Sequence, residues 1–257
     1  MSGYGFFARY YDALTRNVNY RAMAKRFDRL IRQNGGAPGL LLDLACGTGS
    51  LSVELAALGY DVIGVDASRE MLSVAMNKSV QADRSILYLC QPMEKLDLYG
   101  TVDTCVCALD SLNHLSDQTA LAQAFSRVAL FLNPGGLFLF DLNTEYKHRR
   151  VLADNAFVYD LPEVFCVWQN NRDEADGSVE ITLDFFAPHT GKASYRRQTE
   201  AFVERVFPPD TVEELLDANG FSVLELLDGD TLETPGTACQ RTLYVAKLKE
   251  REPIHYE

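Results

Sequence analysis

Basic residues are scarce in this sequence and nowhere gathered into a run. Twenty-four Lys and Arg stand against 36 Asp and Glu, a formal net charge of −12 over 257 residues. The adjacent arginines, Arg149-Arg150 and Arg196-Arg197, are isolated pairs. A field of this sign repels phosphate backbones and anionic lipid, so neither nucleic acid nor a membrane surface is expected as a partner. Long apolar runs are missing too: none approaches the roughly 18 residues of a membrane span. Met1 to Arg16 interleaves aromatics with Arg9, Asp12 and Arg16, unlike a secretory leader. These absences predict a cytoplasmic protein; a monomer or homodimer is expected. No metal-ligand spacing organises the six cysteines, Cys46, Cys90, Cys105, Cys107, Cys166 and Cys239. The close pair Cys105-x-Cys107 lies in a strand-like stretch without a histidine cluster, so buried free thiols are expected, with neither metal nor disulfide. Repeats, low-complexity segments and long linkers are absent as well.

What remains is an ordinary globular composition, 47% hydrophobic and 23% charged, patterned in alternation. An amphipathic stretch from Tyr20 to Gln33 reads as a helix ended by Asn34-Gly35-Gly36. Strands are expected at Leu40–Leu44, Asp61–Val65, Ile86–Cys90, Val102–Ala108 and Leu137–Phe140, with helices at Ser50–Leu58, Ser68–Ser79 and Asp117–Leu132 between them. Apolar strands separated by helices imply a parallel sheet covered on both faces, an α/β fold. From Leu142 to Phe207 the helical period gives way to strand-like alternation, as in Val179, Ile181, Leu183 and Phe185, with turns expected at Asn170-Asn171, Asp176-Gly177 and Thr190-Gly191. The expected division is a main domain of residues 1–141 and 205–257 carrying an inserted antiparallel β subdomain, residues 142–204. A helix at Asp210–Ala218 and strands at Phe221–Asp228 and Leu243–Leu248 complete the main domain.

The chemistry gathers where the first strand meets the next helix: Leu42-Asp43-Leu44-Ala45-Cys46-Gly47-Thr48-Gly49. Glycines at 47 and 49 permit a tight turn and close approach of a ligand to the main chain. The dinucleotide fingerprint places a third small residue three positions on, where this chain has Ser52, and a carboxylate at Asp43 would repel a pyrophosphate. Asp43 suits a cationic or amino-bearing ligand instead, which disfavours a dehydrogenase. About twenty residues on, Asp66 ends the second strand, where an acid accepts the two hydroxyls of a ribose; its structural alternative is to cap the helix that follows.

Together with Val65-Asp66-Ala67-Ser68, Met71 and Asn133-Pro134-Gly135-Gly136, this segment resembles the class I S-adenosylmethionine-dependent methyltransferases of the small-molecule type. The resemblance implies a Rossmann-like, seven-stranded, mostly parallel sheet with helices on both faces, and S-adenosyl-L-methionine as cofactor. It implies that the turn Gly47, Thr48 and Gly49 contacts the methionine part, Asp66 holds the ribose and Met71 packs near the adenine, with Asp43, Ala45, Cys46 and Ala67 also in the cofactor site. The end of the third strand, Gln91-Pro92-Met93, would add adenine contacts, although Pro92 stands where the family usually has an acid; Gln91 or Glu94 would then substitute. Leu109, Asp110 and Asn113, after the fourth strand, would line the reactive end of the cofactor, with helix capping the plainer role for Asp110.

The aromatic stretch Tyr4 to Asp12 would precede the first helix and fold over the cofactor, with Tyr10 against it and Tyr11 near the acceptor; an aromatic anchor for the terminus is the plainer role. The reaction implied is in-line methyl transfer to an oxygen, nitrogen or carbon nucleophile. A hydroxyl acceptor would need a base, with His114 the first candidate and a tyrosine hydroxyl, Tyr11, the second. The inserted sheet would roof the acceptor, with Tyr159, Trp168 and Phe185 more plausibly in its core than in the pocket wall. The alternatives are a tRNA-modifying methyltransferase, against which the acidity argues, and a cofactor-binding regulator without turnover.

Overall fold

A computed structural model describes residues 5–188 and 194–250. Tyr4 and the turn expected at Thr190-Gly191 lie outside the described residues. The first eight expected strands and helices recur within a residue or two of their predicted ends, as do the last three: α2 (Tyr20–Gln33), β1 (Leu40–Leu44), α3 (Ser50–Ala57), β2 (Asp61–Asp66), α4 (Arg69–Gln81), β3 (Leu87–Cys90), β4 (Val102–Cys107) and α5 (Gln118–Phe131) are the first eight. Then come β5 (Leu132–Asn143), the short α6 (Glu145–Lys147), β6 (Ala156–Asp160), β7 (Phe165–Arg172), β8 (Val179–Pro188), β9 (Tyr195–Glu204), α7 (Pro209–Ala218), β10 (Phe221–Asp228) and β11 (Arg241–Leu248). One sheet runs β10-β11-β5-β4-β1-β2-β3, with β11 antiparallel to both neighbours and the other adjacent pairs parallel. A separate antiparallel meander, β6-β7-β8-β9, is spliced in between β5 and α7.

Strand alternation splits the main core in two. Leu42, Leu44, Cys105, Phe138 and Phe140 pack against α5 and α7, whereas Leu41, Val106, Leu137 and Leu139 pack against α2 and α3. A third cluster joins the meander (Cys166, Val179, Ile181, Leu183, Phe185) to Phe7, Ala8, Tyr10 and Leu14 near the amino terminus and to Met71 of α4.

Four sequence expectations are corrected. The aromatic stretch does not precede the first helix but forms it: α1 is Gly5–Leu14. It lacks a plain polar face because it is clasped from two sides, by the meander and by the main domain. Glu200 of β9 accepts the N–H groups of Phe6 and Phe7 at 2.7 and 3.0 Å, satisfying the helix start. At the other end Asp12 accepts from Thr48 Oγ1 (2.6 Å) and pairs with Lys78 (2.8 Å). Second, β5 is far longer than Leu137–Phe140, because Asn133 to Gly136 is a bulge that shifts register against β4 rather than a break before the strand. Third, the insertion opens on helical turns, α6 and a π turn at 148–152, too short to show a period. Fourth, Asn170 and Asn171 lie inside β7 rather than in a turn; buried Asn170 accepts the Trp168 indole N–H at 2.6 Å. Burial of the thiols also varies: all six cysteines are free, with Cys46 half-buried and Cys90 exposed. No helix among the described residues is long and apolar enough to cross a membrane.

Candidate active site

The five parallel strands β3, β2, β1, β4 and β5 end at one edge, and their tips open on a cleft of about 690 Å3. Ala45 (φ 58°), Gly47 (φ 55°) and Gly49 (φ 72°) curl the chain from β1 into α3. At Gly47 an added Cβ would meet nothing within 4 Å, so the main chain there faces open space. At Gly49 it would stand 2.6 Å from the Tyr88 hydroxyl and 2.8 Å from Ala75 Cβ. Positive φ and that crowding together predict that Gly49→Ala costs about 2–3 kcal/mol, read as a lower melting temperature in calorimetry. Thr48 is committed to Asp12 and Lys78, tying the turn to α1.

Asp66 holds two backbone donors, Gly47 N–H at 2.9 Å and Ser68 N–H at 2.8 Å, so it fastens the glycine turn to the tip of β2. The helix cap belongs to Ser68, whose Oγ accepts Met71 N–H at 3.2 Å. Burial raises the Asp66 carboxyl above its ordinary range, opposed by those two hydrogen bonds. Asp43 is buried, takes a 2.5 Å hydrogen bond from Ser52 Oγ, and borders a hollow of about 40 Å3 shared with Tyr11, Tyr20 and the glycine turn. Burial, countered by Ser52 and reinforced by the charge of Asp66, pushes its pKa up to about 7.

After β4 two successive non-glycine residues, Leu109 (φ 58°) and Asp110 (φ 53°), are left-handed. Asp141 of β5 accepts both N–H groups, at 3.0 and 2.6 Å, and Arg241 bridges the two carboxylates, 2.9 Å from Asp141 and 2.5 Å from Asp110. Arg241, with Lys147 and His114, holds the Asp110 carboxyl below its ordinary value despite burial. His114 is exposed, edge-on to the Phe202 ring at 5.2 Å between centroids. Atoms of Asp110, His114 and Glu204 lie within 4.8 Å of one another.

The cleft therefore collects Ala45, Gly47, Asp66, Ala67, Met71, Gln91, Pro92, Met93, Leu109, Asp110, His114 and Tyr11 from the residues picked out in the sequence. Asp43, Cys46 and Thr48 border the smaller hollow, and Gly49 packs against Ala75 and Tyr88. Two others turn away from both. Tyr10 is turned into the meander, stacked on Phe185 at 6.1 Å, because its position on α1 faces β8. Asn113 is buried and laces Asn143 and the carbonyl of Arg205, joining the β4 turn to the base of the insertion. The Gln91 amide is also committed, giving and taking bonds with the Asp97 backbone, which leaves Glu94 as the acidic side chain at the β3 tip and the Met93 N–H at the start of a 3-10 turn. Burial drives the Tyr11 hydroxyl well above its usual pKa, reinforced by the neighbouring Tyr20 and Asp110. Sequence reading missed Asp141, Lys147, Glu204 and Arg241. Asp141 shares the signal of Asp43 and Asp66, an acid near the end of an apolar strand; Arg241 gives none. Tyr159 and Trp168 pack against the meander core and line the cleft as well, while Phe185 is in the core.

A sheet of this order, with glycines after the first strand and an acid at the tip of the second, defines a Rossmann-like fold for a nucleoside-bearing cofactor. Residues 41–136 match the family described as "Methyltransferase domain". Candidate methyltransferases of Geobacillus sp. (strain WCH70) and Bacillus subtilis (strain 168) are each 33% identical, over 95% of this chain and 99% and 96% of their own lengths. The crystal structure of an S-adenosylmethionine-dependent methyltransferase from Clostridium acetobutylicum ATCC 824 superposes with a TM-score of 0.85 at 32% identity, covering 96% of this chain and all of that one. The chain belongs to the class I S-adenosylmethionine-dependent methyltransferases.

The residues present fit that cofactor. The open main chain at Gly47 admits close approach, Asp66 lines the cleft where it would accept ribose hydroxyls, and the buried Asp43 lies beside the hollow where an ammonium group would compensate it. An ammonium ion favours ionised Asp43, so below pH 7 binding must first expel the Asp43 proton. Affinity for S-adenosylhomocysteine is therefore expected to rise about tenfold from pH 6 to pH 8 and to level off above, while Asp43→Asn flattens the profile in titration calorimetry.

Proposed function

We propose that the methyl acceptor is a small molecule, bound between α1, the β4 turn and the meander, and that residues 1–141 and 205–257 carry the cofactor while residues 142–204 cover the acceptor. The observation that carries this is the makeup of the cleft. Its volume of about 690 Å3 falls within the range of small-ligand sites, roughly 300–1,000 Å3. Beyond the strand tips it is walled by Phe7, Leu152, Tyr159, Trp168 and Phe202, apolar surface suited to a compact ligand. Among the described lining residues four carboxylates outnumber two cations, which disfavours a polynucleotide.

The cofactor, when bound, supplies an electrophilic methyl group with its own leaving group. The chain's task is then orientation and exclusion of water. Asp66 and the glycine turn fix one end, and Asp141 and Arg241 hold the Leu109-Asp110 turn at the other. α1 covers the cleft, clasped by Glu200 and Lys78. His114, exposed at the rim, takes the proton an acceptor releases and passes it to solvent. Free thiols on all six cysteines support a cytoplasmic setting.

The test is turnover with labelled S-adenosylmethionine on panels of small amines, phenols and carboxylates beside bulk tRNA. Methylation of a small molecule that is lost in His114→Ala is expected; methylation of tRNA alone would refute the proposal.

A further inference from the structure

We propose that the acceptor nucleophile is an amine on an apolar or aromatic body, held as its ammonium ion between Asp110 and Glu204. This rests on the small-molecule reading above and narrows it.

The first support is charge. Among the described residues Asp66, Glu94, Asp110 and Glu204 line the cleft against Lys147 and Arg241. Arg241 is shared between Asp110 and a further carboxylate, Asp141, outside the lining. S-adenosylmethionine carries one net positive charge, so with the cofactor in place the lining is still one positive charge short. A carboxylate acceptor would widen that deficit; an ammonium closes it.

The second support is Glu204. It is 3% exposed, and its Oε2 accepts from Asn143 Nδ2 at 2.9 Å with the buried His148 ring 3.3 Å away. That imidazole, a charge partner only when protonated, is the basic group set against it among the described residues, and the geometry does not make a hydrogen bond of the approach. A buried carboxylate with so weak a cationic partner is costly unless a ligand completes it. Lys147, the other nearby cation, donates to Asn143 Oδ1 at 2.8 Å, and burial lowers its pKa although Asp110 and Glu204 oppose that shift.

The third support is shape. Asp110, His114 and Glu204 converge within 4.8 Å, and the rings of Tyr159, Trp168 and Phe202 line the same cleft. Aromatic faces accept both an apolar body and the cationic head.

The chemistry balances. The bound ammonium gives one proton to His114, which returns it to solvent. The freed nitrogen lone pair forms the N–C bond as the S–C bond breaks, and the two electrons of the S–C bond stay on sulfur. The products are a methylated ammonium ion and a neutral thioether.

Calorimetry on the S-adenosylhomocysteine-loaded protein tests this with two bodies in three forms: 2-phenylethylamine and hexylamine, their alcohols, and phenylacetate and hexanoate. Each amine is expected to bind at least about tenfold tighter than its alcohol or acid, and Glu204→Gln to remove about tenfold of amine affinity without loss of S-adenosylhomocysteine binding. The wild-type comparison stands whether or not the variant folds. Carboxylates binding as well as amines, amines no better than alcohols, or none of the six binding would overturn the proposal. Tight binding of Mg2+ or Zn2+ at the same three residues, competing with the amine, would overturn it too. Failure of S-adenosylhomocysteine to bind at all would bring down the underlying reading as well, and is read first.

Discussion

Asp66→Ala is expected to lower affinity for S-adenosylhomocysteine by about 100-fold, near 2.7 kcal/mol. In the proposed site the carboxylate would take two ribose hydroxyls, and hydrogen bonds to a charged group contribute about 1.5–3 kcal/mol each. It also holds the N–H of Gly47, so its loss loosens the turn that receives the rest of the cofactor. Asp66→Asn keeps one acceptor without the charge and should lose less, about tenfold. Titration calorimetry measures both. Thermal stabilisation by saturating ligand should shrink in parallel, since that stabilisation follows the ratio of ligand concentration to dissociation constant. Unchanged affinity in Asp66→Ala would mean the ribose is held elsewhere.

The second large effect is at Asp141, which touches neither cofactor nor acceptor in this account. Its two oxygens hold the N–H groups of Leu109 and Asp110, whose left-handed backbones cost on the order of 1–3 kcal/mol each. Asp141→Ala strands those donors and leaves Arg241 with Asp110 alone. Breaking such a buried charged pair costs about 3–5 kcal/mol of stability. Turnover should fall about 100-fold because Asp110 and Leu109 line the cleft, while S-adenosylhomocysteine affinity, set mainly at the β1 and β2 tips, should fall far less. Adding Leu109→Gly to the Asp141→Ala background relieves one strained residue and should recover part of the stability and turnover. Equal losses of S-adenosylhomocysteine affinity and turnover, with no recovery by glycine, would show a general collapse rather than a positioned turn.

The parts of the fold with a period were legible in the sequence. Buried parallel strands such as Leu40–Leu44 and amphipathic helices such as Tyr20–Gln33 repeat a pattern long enough to read, and Gly47, Gly49 and Asp66 carry their conformational and chemical reasons locally. What escaped depends on partners distant in the chain. α1 is apolar on more than one side because the meander and the main domain both cover it, so it resembled an aromatic arm. Tyr10 and Tyr11 are neighbours in sequence yet face Phe185 and the cleft respectively. Gln91 stood at a suitable place for adenine, but its amide closes the loop to Asp97. Asn113 fell in the right segment and serves as a lace between two buried strands' ends. Arg241 acquires its meaning from Asp110, 131 residues away, and Asp141, 100 residues away. No spacing in one sequence announces such a pair. The opening scarcity of basic residues reads differently beside this: two of the few, Lys147 and Arg241, stand in the cleft among carboxylates that outnumber them.

The most direct test is a crystal structure of the protein with S-adenosylhomocysteine. The account predicts ribose hydroxyls on Asp66, the amino group on the Asp43 side of the glycine turn, and the sulfur facing the space bounded by Tyr11, Asp110 and His114. Density for the ligand away from the β1 and β2 tips, or a sulfur directed away from that space, would contradict it.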